Sequence, residues 1–191
     1  MSQVTVNDEP GQAYAGKVHS GGQLPSSIAS YVASELIYFG KLVIVADADL
    51  AVGGAAGGPQ TCALPASAAD VLRAAQAGGI AIADPSVERM RDPATPNIAN
   101  SAPYGAFGDE ASVPVMRMGK IWVQTETAIT ALSNGVFIRV STPGIIPIAS
   151  LGSFGIVDDA DTEPAPAGMA WAGSATVDGI FLGLLSVNLP A

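Results

Sequence analysis

Residues 169–189 read MAWAGSATVDGIFLGLLSVNL, and the fold is decided in this stretch. Met169–Val177 and Ile180–Leu189 carry Trp, Val, Thr, Ile, Phe and Leu, whose branched or aromatic side chains suit a pleated, half-buried surface. Between them stands Asp178-Gly179, a pair that accepts the positive φ angles of a two-residue hairpin. A lone hairpin cannot bury its apolar face, so the rest of the chain must supply more sheet. Asn134-Gly135 repeats the turn signal between Ile129–Ser133 and Val136–Val140, where Val136, Ile138 and Val140 share a face. VMRMGKIWVQTE (115–126) reads as a bulged strand or a tight hairpin about Gly119. KLVIVA (41–46), IAIA (80–83) and Phe154–Val157 add further strands. SSIASYVASELIYF (26–39) fits helical and strand spacing equally. The spacing predicts one helix at about 68–77, capped by Ser67, with Asp70 three residues on and Gly78-Gly79 as the stop. Short strands between regular turn signals predict a mainly β domain, jelly-roll-like or barrel-like, with one short helix.

Two further segments set the organisation. Residues 1–25, rich in Gly, Gln and Ser, read as an extended N-terminal arm in which Tyr14, Val18 and Leu24 offer apolar contacts. Residues 26–191 form a single domain, interrupted by the GGAAGGP loop (53–59) and a long loop at about 84–114. Loops of that length in compact domains are usually functional or partner-bound.

Composition narrows the function. Of 191 residues, 49% are apolar and only 13% charged, against about 25% in ordinary soluble domains. So few charges cover a monomer's surface poorly, which points to burial by a partner or by further copies of the chain. The net charge of −9 has no basic stripe within it, which excludes a nucleic-acid binder. A single cysteine, Cys62, allows no internal disulfide. The opening MSQVTVNDEP lacks the basic end and apolar run of a signal peptide, and no stretch reaches 18 apolar residues. The expectation is a soluble protein made in the cytoplasm, with no membrane partner.

No chemistry stands out. GGAAGGP has no Lys and no following Ser or Thr, so it is not a phosphate cradle. His19 is the one histidine and lies in the arm, away from the rigid support that catalysis wants. One histidine and one cysteine do not make a zinc set. Asp47 with Asp49, and Asp158, Asp159, Asp161 with Glu163, are candidates for a hard cation, but the second group reads better as a solvated acidic turn. No carboxylate pair is marked out for glycoside hydrolysis. The reading is therefore no catalytic, cofactor or metal site, and no enzyme. Arg89, Arg91 and Asp92 form a compact charged cluster in the long loop, read equally as a surface salt-bridge set or as a polar contact with a neighbour. The interface candidates are Tyr14, Val18, Leu24, Arg89, Arg91, Tyr104 and Phe107.

The order of pieces resembles a known family. GQAYAGKVHSGG (11–22), GIAIADPSVER (79–89), YGAFGDEASVPVMRMGKIWVQTE (104–126), NGVFIRV (134–140) and the closing 169–189 hairpin together resemble the head decoration, or cement, proteins of tailed bacteriophages. The 53–59 loop and the 84–103 segment look like elaborations on that pattern. The resemblance implies a β domain that associates as a dimer or trimer and clamps adjacent subunits of the major capsid protein. It would sit on the capsid exterior of the virion and reinforce the expanded head, with no catalytic residues. A receptor- or glycan-binding module of a phage tail or fibre is the competing reading, with Trp122 or Trp171 as its platform. Both tryptophans sit among alternating strand residues and are expected in the core instead.

Overall fold

The computed structural model describes residues 15–19, 27–45, 60–83, 105–108, 110–141, 151–177 and 179–189. In chain order the elements are β1 (Ser27–Ala33), β2 (Ile37–Tyr38), β3 (Leu42–Val45), β4 (Thr61–Ala63), α1 (Ala68–Gln76), β5 (Gly78–Ala81) and β6 (Ala106–Phe107). There follow β7 (Ser112–Gln124), β8 (Phe137–Arg139), β9 (Phe154–Gly155), β10 (Thr162–Pro164), β11 (Met169–Val177) and β12 (Ile180–Asn188). The ambiguous 26–39 stretch resolves as strand: Tyr31 and Ala33 turn to the core while Ile28 and Ser30 are exposed, a period of two.

The largest sheet has the order β1-β4-β3-β5-β7-β12-β11, and β7 also pairs with β1. That extra pairing closes β1, β4, β3, β5 and β7 into a ring, the barrel-like form expected. β1 and β4 run parallel, and the other neighbours in the ring are antiparallel. β12 and β11 continue the sheet from the far half of β7. Two small sheets, β10-β8-β9 and β2-β6, complete the architecture.

β7 spans the whole structure because one extra residue lets it change partners. Ser27 lies opposite Met118 but Ile28 opposite Met116, so Arg117 is an unmatched bulge. Before it, Val113 and Val115 face one core cluster and Met116 the other; after it, the odd residues Ile121 and Val123 face the cluster that held Met116. Gly119, at φ +136°, carries the strand onward, so the bulged-strand alternative holds and the hairpin does not. The Arg117 guanidinium donates to the Ala75 carbonyl at 2.9 Å and the Gly78 carbonyl at 2.8 Å, satisfying acceptors left open at the end of α1.

At β3 and β5 the wall of the ring is buried on both faces. On β3, Leu42 and Ile44 join a large cluster that includes Val71 and Ala74 of α1, Phe154 and Trp171. Val43 faces a smaller cluster of Ala33, Cys62, Ala81, Ala83, Phe39 and Phe107, the two phenyl rings 4.9 Å apart. Alanine and cysteine suit a narrow ring that leaves little room for side chains.

Local signals succeeded where the partner was local. The 178–179 connection joins β11 to β12 with Val177 opposite Ile180 and Gly179 at φ +81°. On α1, the Ser67 side chain accepts from the Asp70 N–H at 3.2 Å, and the Asp70 carboxylate accepts from the Ala66 N–H at 3.0 Å. Gly78 and Gly79 do not act as a left-handed stop. They enter β5 directly, and a Cβ there would stand 2.4 Å from the Val43 and Met116 carbonyl oxygens respectively.

Two expectations need correction. Asn134-Gly135 makes no hairpin: residues 129–133 are not strand, Asn134 N–H closes a turn onto Ala131 O, and β8 pairs with β9 and β10 instead. The long loop also ends earlier than 114, since β6 and the start of β7 lie inside it. The 53–59 loop lies outside the described residues.

Candidate interaction surface

Of the seven predicted interface residues, Tyr14, Leu24, Arg89, Arg91 and Tyr104 lie outside the described residues. So do Asp47, Asp49 and Asp92. Val18 is half-buried, bridges to Ile121 and packs on the large cluster. Its neighbours are stitched to the same strand. Gly16 N–H donates to Trp122 O at 2.7 Å, Trp122 N–H to Lys17 O at 2.9 Å, and His19 N–H to Lys120 O at 2.8 Å. On the other side, Ala83 N–H donates to Gly16 O at 2.9 Å. Residues 15–19 of the predicted arm thus lie on the chain's own domain. Gly16 is obligatory there, with φ +81° and space for a Cβ only 2.7 Å from Ala83 N. Phe107 is a correction: it is fully buried against Phe39, because its strand pairs with β2 and turns the ring inward, so it offers nothing to a partner.

The acidic turn has a cation, and it is an arginine. Arg139 on β8 is buried, and its guanidinium grips Glu126 in a bidentate fork, Nε–Oε1 2.5 Å and Nη2–Oε2 2.6 Å. The same Nη2 reaches Asp159 Oδ2 at 3.3 Å, and Nη1 lies 3.9 Å from Asp161 Oδ2. Ser141 Oγ donates to Asp161, and Thr162 Oγ1 accepts from the Asp159 N–H. The Asp161 N–H first, then Arg139, holds the Asp159 carboxyl below its usual range. The loop that sequence reads as a solvated turn is therefore fixed to the domain, presenting Val157, Asp158 and Ala160 outward. Among the described residues no group of three His, Cys, Asp or Glu is arranged to hold a metal ion.

Beside this cluster the Lys41 ammonium is buried and donates to Ser153 Oγ. Burial pulls its pKa down to about 8, against the attraction of Glu126. Burial also pushes the Cys62 thiol up to about 12, so this cysteine is an inert core residue. Trp171 is buried as expected, its Nε1 donating to Gly135 O at 3.2 Å. Trp122 is half-buried, with His19 edge-on to its ring at 6.3 Å. Sequence reasoning missed Glu126, Arg139 and Lys41, which no short motif links.

The described surface also carries a few exposed large apolar side chains. Leu72 is 69% exposed, and Ile28, Leu132, Val157, Leu36 and Met118 also face outward.

No curated protein matches the chain. A family model described as "Structural cement protein (E217 gp24/Pam3 gp6)", a phage family, matches residues 2–182. That match spans almost the whole chain. The chain belongs to the phage structural cement protein family.

Proposed function

We propose that this protein cements a phage head by binding the outside of the capsid and bridging adjacent major capsid subunits. The observation that carries the reading is the family match across residues 2–182. Three physical features support it. A charged share of 13% is what an interface core requires. Exposed leucine, isoleucine and valine side chains want cover. The fixed acidic loop at 157–162 gives a rigid, pre-organised contact surface, so little ordering is needed on binding. Several copies engaging a repeating lattice would gain avidity from modest single contacts. The partners in this reading are the major capsid protein and further copies of the chain, without nucleic acid or membrane.

Tyr14, Leu24, Arg89, Arg91 and Tyr104 remain the proposed contact residues of the N-terminal segment and the long loop, with Val18 anchoring the former to β7. Trp171 is buried and Trp122 is half-buried against His19, so neither is an open platform that would favour the glycan-binding reading.

The test is titration of the purified chain onto undecorated, expanded heads. Saturable co-sedimentation is expected, together with a higher temperature of head disruption. Deleting residues 1–14, which spares the 15–19 segment stitched to β7, should weaken binding while leaving the melting temperature unchanged. Binding that never saturates, or leaves head stability unaltered, contradicts the cement role; a deletion without effect removes the N-terminal contact from it.

A further inference from the structure

β11 is the one strand of the large sheet with a single neighbour among the described residues. Closure of the ring gives β1, β3, β4 and β5 a partner on each side, and β12 lies between β7 and β11. An open edge presents a row of N–H and C=O groups ready to pair, and proteins normally protect it with charge, proline or a bulge. β11 (MAWAGSATV) has no charged residue and no proline. It has a bulge at Ala172, between Trp171 and Gly173, which interrupts only its first half. Gly173–Val177 then runs in unbroken register with Ile180–Leu184, five residues of regular edge with no strand partner on their other side among the described residues, in which Ser174 and Thr176 are exposed.

Charge identifies the occupant. The chain carries a net charge of −9, and Glu110, Asp158 and Asp159 are exposed. A second copy is therefore repelled by most of the surface. β11 and β12 themselves contain no ionisable residue, and Asp178 at the turn that joins them is the one charge of this hairpin, so the strand edge is a neutral window where two copies can meet. A foreign partner would more naturally be recognised by opposite charge, which also speeds encounter. An edge without charge of either sign suits pairing with itself.

We propose that Gly173–Val177 pairs antiparallel with the same stretch of a second copy across a two-fold axis. The register that uses all five residues centres on Ala175. It sets Ala175 opposite its own copy, Ser174 opposite Thr176, and Gly173 opposite Val177. Serine and threonine directly across a ladder can hydrogen-bond, and small residues let the edges approach closely. Because the large sheet has one open edge among the described residues, this contact closes as a dimer and does not propagate. The inference rests on the cement reading only for the purpose of the dimer, which is to offer the lattice two linked binding units.

Sedimentation equilibrium of the full chain tests it, alongside S174K/T176K and S174E/T176E. The wild type should be dimeric at micromolar concentration. Each variant places two like-charged pairs across the axis, so its dimer dissociation constant should rise by more than about tenfold. Mixing the two variants should restore a dimer, and this recovery also shows that both are folded. In a separate variant, A175C under mild oxidation should give a covalent dimer, Cys62 being buried. A monomeric wild type overturns the inference, as do variants that keep the wild-type mass or an A175C chain that never cross-links. If the lysine variant remains dimeric but no longer binds heads, a shell strand occupies the edge and the second copy does not. Head binding is measured separately, so a wild type that dimerises through β11 yet ignores heads would sink the cement role and leave the pairing intact.

Discussion

Lys41 is the residue whose environment is most at odds with its chemistry. An ammonium prefers water, yet this one is buried beside Ser153 with Glu126 as its nearest compensating charge. Burial depresses its pKa from 10.5 to about 8. The unfolded chain therefore holds the proton more firmly than the folded one between those values. Where the unfolded state binds more protons, stability rises with pH. The penalty is fully present below about pH 8 and is relieved as pH climbs towards 10.5. Relative to Lys41→Met, the wild type should gain on the order of 3 kcal/mol over that window. Chemical denaturation of both proteins at pH 7 and pH 10 measures it. Parallel stability curves would show that the ammonium is not buried in the folded state.

At the scale of elements, Arg139 fastens pieces the backbone leaves apart. It draws Glu126 in the segment after β7, the strand β8 and the loop before β10 onto one guanidinium. Removing one member of a buried ion cluster strands the others, and such losses run to about 3–5 kcal/mol. Arg139→Met should destabilise the fold by that order, read from urea denaturation, whereas the part-exposed i,i+3 pair Asp70–Arg73 on α1 would contribute about 0–1 kcal/mol. A loss below about 1 kcal/mol for Arg139→Met would mean that the cluster is not structural.

The same cluster marks the limit of what the sequence makes legible. Glu126 and Asp159 lie 13 and 20 positions from Arg139, joined by no motif, so only the fold could reveal them. The β11–β12 hairpin and the cap of α1 were readable because their partners lie within four residues. Asn134-Gly135 misled for the complementary reason. Its turn residues favour a hairpin, but β8 gains more by pairing with β9 and β10 in a buried sheet, and tertiary packing outweighs local preference. Phe107 misled because a short aromatic segment within a Pro-rich loop gives no sign of which way its ring turns.

At the scale of the whole molecule, two features meet: a closed ring of strands that buries its own core, and a chain of which only 13% is charged. The first makes the chain a self-sufficient body, needing neither metal nor disulfide to hold its core. The second, with exposed Leu72, Ile28 and Leu132 and an uncharged sheet edge, makes it a body designed to be touched. Family membership gives the contact its context. The described residues that organise this exterior, among them Arg139 and Val18, work by holding surfaces still.

The central claim is that the chain covers the capsid lattice, and its copy number on purified particles tests that most directly. Quantitative mass spectrometry against the major capsid protein should give one copy per shell subunit, or a simple fraction of it. A handful of copies per particle, or none, would contradict a lattice-wide cement.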